Sequence, residues 1–180
     1  MDDATAPCAL VVMGVSGSGK STIADRLAAR LDWRYEDGDK FHPPANVAKM
    51  SAGQPLTDED RWPWLQAIAD EIDRLSAAGQ RAVIACSALK RAYRDLIRSI
   101  AGDVTFVLPL LSREQLRARM AQRANHFMPT ALLDSQLQTL EAPGADENAI
   151  EVDGNLPVEE QVARVTKALG QPAPLGAPVR

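Results

Sequence analysis

Residues 9–31 read ALVVMGVSGSGKSTIADRLAARL, and the reading of this stretch decides the fold. Ala9 to Met13 is a short apolar run of strand length, and the residues from Ser21 to Leu31 carry a helical pattern. Between them Gly14-Val15-Ser16-Gly17-Ser18-Gly19-Lys20-Ser21 fits G-x-x-x-x-G-K-[ST], directly after a strand and before a helix, as the mechanism requires. In such a loop glycines let the backbone come close to a phosphate. Successive N–H groups wrap it, and the helix starting at Ser21 aims its positive dipole end inward. Lys20 is expected to reach the terminal phosphates of ATP, and the Ser21 hydroxyl to sit on Mg2+.

Working outward, strands alternate with helices. Short strands are predicted at Trp33 to Glu36, Ala82 to Cys86, Val104 to Leu108 and Ala149 to Val152. Thr57, with Asp58, Glu59 and Asp60 behind it, opens a helix whose apolar positions Leu65, Ile68, Ile72 and Leu75 recur every three or four residues. A basic helix is predicted from about Lys90 to Ile100. Ser112 with Gln115 reads as a capping box for an Arg-rich helix ending near Asn125, and Pro157 starts a last amphipathic helix, Val158 to Leu169. The pattern predicts an α/β fold with a parallel sheet covered on both faces, which binds ligands outside the carboxyl ends of its strands.

The composition narrows the classes. The 180 residues are 46% hydrophobic and 24% charged, which describes one soluble domain able to bury a core without staples. Two cysteines, Cys8 and Cys86, fit a reducing cytoplasm and give no zinc spacing. The acidic start does not read as a signal peptide, and no apolar run approaches the ~20 residues of a membrane span. A net charge of −4 argues against non-specific nucleic-acid binding. Residues 1–8 read as an N-terminal extension, 9–169 as the domain, and 170–180, rich in Pro and Gly, as a disordered tail.

The loop alone does not name the phosphate acceptor. Neither D-x-x-G nor N-K-x-D occurs, which sets GTPase switches aside, and the third strand ends without the metal-binding Asp usual in motors. Asp37 and Asp39, two apart at the end of the second strand, are placed on the same side of an extended segment. One can hold the water shell of Mg2+ while the other orients an attacking hydroxyl and accepts its proton. His42, Lys49, Arg61, Lys90, Arg91 and Arg94 form a cationic set suited to an anionic acceptor. Arg113, Arg117, Arg119 and Arg123, with His126 and Phe127 behind them, suit a closing lid over about 119–143. Arg119 and Arg123 share a helix face, and either could neutralise charge on the transferred phosphoryl group.

Taken together these blocks resemble the thermoresistant-type gluconokinase family. GVSGSGKST at Gly14 to Thr22, DGD-x-x-HP at Asp37 to Pro43, N-x-x-KM at Asn46 to Met50, G-x-PL-x-D-x-DR-x-PWL at Gly53 to Leu65, CSALK-x-x-YRD at Cys86 to Asp95 and SQ-x-x-TLE at Ser135 to Glu141 follow its pattern in order. The resemblance implies a three-layer P-loop fold of the shikimate and adenylate kinase type, with a five-stranded parallel sheet and a helical lid. It implies phosphorylation of D-gluconate at its 6-hydroxyl by MgATP, and a homodimer. Carried over by motif, Gly14 to Thr22 hold the nucleotide and Ser21 and Asp37 serve the metal. Asp39 becomes the hydroxyl partner, with Lys20, Arg119 and Arg123 the other catalytic groups. His42, Asn46, Lys49, Arg61, Ser87 and Lys90, with Asp39, become candidates for the sugar-acid pocket. Which lid Arg meets adenine and which meets phosphate stays open. So do a kinase for another small acceptor and a nucleotide-binding regulatory protein.

Overall fold

The computed structural model describes residues 6–122 and 130–170. Five strands, β1 (Ala9–Val12), β2 (Arg34–Asp37), β3 (Ala82–Ala85), β4 (Val104–Leu110) and β5 (Ala149–Asp153), form one parallel sheet in the order β2-β3-β1-β4-β5. The helices are α1 (Lys20–Leu31), α2 (Pro44–Ser51), α3 (Asp58–Ala77), α4 (Arg91–Ala101), α5 (Arg113–Gln122), α6 (Thr130–Thr139) and α7 (Val158–Ala168), with a 3-10 turn at Gly38–Phe41.

β1 lies at the centre, and its residues feed two cores by simple alternation. Ala9 and Val11 pack with Ile84, Phe106, Leu65, Ile68 and Ile97 on one face. Leu10 and Val12 pack with Val83, Val107, Ile23, Leu27, Val162 and Val165 on the other. A strand buried on both faces has to be apolar throughout, which is why ALVV shows no polar alternation. β3 and β4 flank β1, so the chain leaves β1 on one side to form β2 and β3 and later crosses to β4. The crevice at that reversal lies beside the carboxyl end of β1, where the phosphate loop begins.

Both predicted caps are present. Thr57 and Asp60 exchange hydrogen bonds at the start of α3, and Ser112 and Gln115 do so at the start of α5. All five strands end one or two residues from the expected position, and two of these shifts matter here. β2 runs one residue further than expected, so Asp37 pairs with Ala85 inside the ladder. β4 continues past Leu108 through Pro109 to Leu110. The Val107 carbonyl accepts the Met13 N–H, so by alternation Pro109 faces the same side, beyond the end of β1, where a missing N–H leaves no ladder bond unmade. The predicted tail beyond Gly170 and the first residues of the N-terminal extension lie outside the described residues. Among the described residues no helix is long and apolar enough to cross a membrane.

Candidate active site

The phosphate loop turns directly from β1 into α1. Gly17 and Gly19 hold φ of +82° and +90°, a region that side chains with a Cβ rarely enter, and a Cβ on Gly17 would stand 3.0 Å from Met120 Cγ of α5. Gly14 N–H donates to the Ser87 carbonyl at 3.1 Å, tying the loop to the end of β3. Lys20 Nζ donates to the Val15 carbonyl at 3.0 Å, so the ammonium is folded over its own loop.

The loop separates two cavities of about 360 Å3 each, and Gly17 and Gly19 line both. The first is walled by Lys20, Ser21, Asp37, Asp39, His42, Arg61 and Ser87, with Leu56, Trp64 and Leu89 as apolar wall. The second is walled by Ser18, Thr22, Arg119, Gln122, Leu156 and Gln161. A larger open depression of about 940 Å3 lies around Trp33, Arg81 and Asp103 and includes none of the residues singled out in the sequence as site candidates.

Asp37 and Asp39 both reach the first cavity, but the chain leaves the extended conformation between them. Asp37 ends β2 and its Oδ1 accepts the Asp39 N–H at 3.0 Å, capping the 3-10 turn that carries Asp39. Gly38 makes the turn possible by close approach: a Cβ there would lie 2.5 Å from the Ala85 carbonyl oxygen. The Asp39 side chain opens onto the cavity solvent. Protein crowded around the cleft nevertheless pushes its pKa up, the Asp37 charge adds to that, and the Lys20 ammonium opposes it.

The cationic set divides. Arg61 lines the cavity, with Nη1 donating to the Tyr93 hydroxyl at 3.0 Å. Tyr93 donates in turn to Asp58, which also takes Lys90 Nζ at 2.8 and 2.9 Å. Lys49 is paired with Asp60 at 2.6 Å, and that contact holds the Asp60 carboxyl down to about 2. Asn46 is buried against Asp60 and His42. Asn46, Lys49 and Lys90 are therefore set behind the wall, while Asp39, His42, Arg61 and Ser87 form it.

Arg91 pairs with Asp146 on the surface. Arg94 is fully buried in a two-pronged contact with Glu147, and its Nη1 donates to the carbonyls of Ala88, Leu89 and Glu141. It supports the Ser87–Leu89 wall from behind and does not face the cavity. In the Arg-rich helix, Arg113 and Arg117 turn to Asp134 of α6, whereas Arg119 Nη2 donates to the Gly154 carbonyl at 2.5 Å and faces the second cavity. Arg123, His126 and Phe127 lie outside the described residues.

Sequence reasoning missed four contributors. Trp64 stacks on His42 with centroids 4.1 Å apart, Tyr93 and Asp58 fix Arg61, and Gln136 of α6 takes the Ser16 N–H at 2.7 Å. Each belongs to a quoted motif block. The signal was there, but a motif does not say which side chains face each other across the fold.

A sequence profile described as an AAA domain matches residues 10–143. A gluconokinase of Gluconobacter oxydans (strain 621H) is 53% identical over 148 residues, which is 82% of this chain and 83% of that protein. The crystal structure of a gluconokinase from Sinorhizobium meliloti 1021 superposes with a TM-score of 0.83 at 45% identity, covering 91% of this chain and 92% of that one. A sugar kinase from Janibacter sp. HTCC2649 gives a TM-score of 0.87 at 46% identity, covering 91% and 95%. With its phosphate loop, its paired carboxylates and this degree of likeness over most of its length, the chain belongs to the gluconokinase family.

Proposed function

We propose that the protein transfers the terminal phosphoryl group of ATP to the 6-hydroxyl of D-gluconate, giving 6-phosphogluconate and ADP. The observation that carries this reading is the wall of the first cavity. There a hydroxyl partner, Asp39, and a fixed guanidinium, Arg61, stand in one chamber in front of the phosphate loop.

The chemistry follows from where each group sits. The loop amides and Lys20 hold the phosphates, and Arg119 flanks the nucleotide in the second cavity. Asp39 accepts the proton of the attacking hydroxyl as the new O–P bond forms and the bond to the β-phosphate oxygen breaks, while Lys20 meets the charge moving onto the departing diphosphate. Arg61, pre-oriented by Tyr93 and Asp58, takes the acceptor carboxylate. Among the described residues Lys20 and Arg61 are the Lys and Arg side chains that line this cavity, while Lys49 and Lys90 pair with Asp60 and Asp58 of α3.

Ser21 and Asp37 offer hard oxygen donors beside Lys20, and these fit Mg2+ bound chiefly through phosphates and water. Among the described residues no cluster of three His, Cys, Asp or Glu forms a metal cage, and a phosphate-held ion requires none. When bound, the ion supplies neutralising charge to the phosphate oxygens. The family resemblance adds Arg123 and a homodimer to this proposal, the Arg-rich segment adds a lid over about 119–143, and the cysteine usage, the net charge of −4 and the lack of a long apolar run add a cytoplasmic setting without nucleic-acid or membrane partners.

ADP release measured with and without gluconate, with shikimate and a nucleoside monophosphate as competing acceptors, tests the assignment. Release that depends on gluconate is the expected result. Release driven equally by another acceptor, or by none, overturns it.

A further inference from the structure

The Asn46 side-chain nitrogen donates to the Asp60 backbone carbonyl at 2.8 Å and lies 3.3 Å from Nδ1 of His42. The first contact fixes which end of the amide carries hydrogen, because a backbone carbonyl only accepts. The second must then be N–H donation into the imidazole, so Nδ1 bears a lone pair and the ring proton sits on Nε2.

The ring cannot turn away from this arrangement. It is stacked on Trp64 with 15° between planes, and Trp64 is itself held by donating Nε1–H to the Gly38 carbonyl at 2.7 Å. Nε2 lies 3.9 Å from Asp39 Oδ1. The groups facing the ring are Asp39 from the 3-10 turn, Asn46 from α2, and Arg61 and Trp64 from α3. Burial first, and then the Arg61 charge, lower the pKa of His42 to about 4, so the ring is neutral around pH 7.

We propose that Asn46 is a positioning residue rather than a substrate contact, holding His42 as the Nε2–H tautomer so that a neutral donor stands beside the Asp39 acceptor. This donor and acceptor match two neighbouring hydroxyls of a polyol, the terminal one on Asp39 and the next on His42. Neutrality gives the acceptor a direction. An imidazolium next to Asp39 would compete with Arg61 for the carboxylate and draw the wrong end of the acid toward the phosphate. The inference rests on the acceptor reading above and names the side chains that set its polarity.

The test is nitrogen NMR on the full-length protein labelled with 15N-histidine. The chain has two histidines, and the spectrum of His42→Gln identifies the ring of interest. In the wild type Nδ1 is expected to be pyridine-like and Nε2 pyrrole-like between about pH 6 and 8. In Asn46→Ala the fixed tautomer is lost and KM for gluconate rises roughly tenfold, the loss of one well-placed hydrogen bond, with KM for ATP unmoved.

A proton on Nδ1 in the wild type, an imidazolium near pH 7, or an Asn46→Ala protein with unchanged ring and unchanged KM would overturn the proposal. The wild-type ring decides the matter even if the variant fails to fold. A correct tautomer in a protein that ignores gluconate would count against the acceptor assignment alone.

Discussion

The side-chain carbonyl of Gln136 accepts the backbone N–H of Ser16 at 2.7 Å, seating α6 on the phosphate loop across 120 positions of sequence. Gln136 is half-buried and lines the first cavity, the one proposed to take the acceptor, together with Leu132 and Ser135. Removing the amide should loosen that wall without emptying a core. Gln136→Ala is expected to raise KM for gluconate about three- to tenfold, the scale of one hydrogen bond, while the thermal midpoint stays near that of the wild type. Steady-state kinetics beside a melting curve separates the two effects.

Asp39→Asn keeps the shape of the 3-10 turn and removes the carboxylate proposed to accept the hydroxyl proton. Turnover should fall by about 10²- to 10⁴-fold while a fluorescent nucleotide still binds. Near-normal turnover would take Asp39 out of the chemistry. The pH profile is a second readout. Asp39 has its pKa raised by the surrounding protein and by Asp37, so it stays protonated to higher pH than an ordinary Asp. The acid limb of kcat/KM should therefore lie above about pH 4. Asp37→Asn, which removes the like charge, should move that limb toward lower pH.

Gly38→Ala tests the close approach of the 3-10 turn to β3. The added Cβ would meet the Ala85 carbonyl oxygen at 2.5 Å and Ile68 Cδ1 at 3.3 Å, and the first of these is backbone that cannot rotate away. A loss of about 1–3 kcal/mol is expected from denaturant unfolding, the usual scale of overpacking. Activity should fall with it, because Asp37 and Asp39 ride on the displaced segment.

Arg94→Met should destabilise by about 3–5 kcal/mol, since it strands the buried Glu147 carboxylate. Adding Glu147→Leu should recover much of that loss, which urea titrations of the single and double variants can show. Arg94 holds the Glu147 pKa below its usual value. The stability from this pair is thus present above the ordinary Glu range and is lost as pH falls through the lower, folded-state value. Wild type and double variant should converge in stability on acidification.

Much of this protein is legible in its sequence because its signals are local. The all-apolar ALVV, the glycines of the loop, the Thr57 and Ser112 caps and the alternation of strands with helices each act within a few residues, and the sheet follows from them. The active site is read less completely. The cationic set looked uniform along the chain, yet Lys49 and Lys90 face carboxylates of α3, Arg94 is buried, and Arg61 alone of the set's arginines lines the first cavity. Which positive charge is already cancelled depends on partners 11 to 53 residues away, and no spacing rule carries that information. Asp37 and Asp39 illustrate the same limit. Their shared destination was readable, but the capped turn that takes them there depends on how closely Gly38 meets β3.

The partition formed by Gly17 and Gly19 has one more implication. Gly17 and Gly19 line both cavities while Lys20 and Ser21 open onto the one that holds Asp39, so on the proposed function nucleotide and acceptor can be present together, with the terminal phosphate on the same side as the hydroxyl. Such a layout favours simultaneous occupancy and a single direct hand-over, with no stop on a side chain of the enzyme in between.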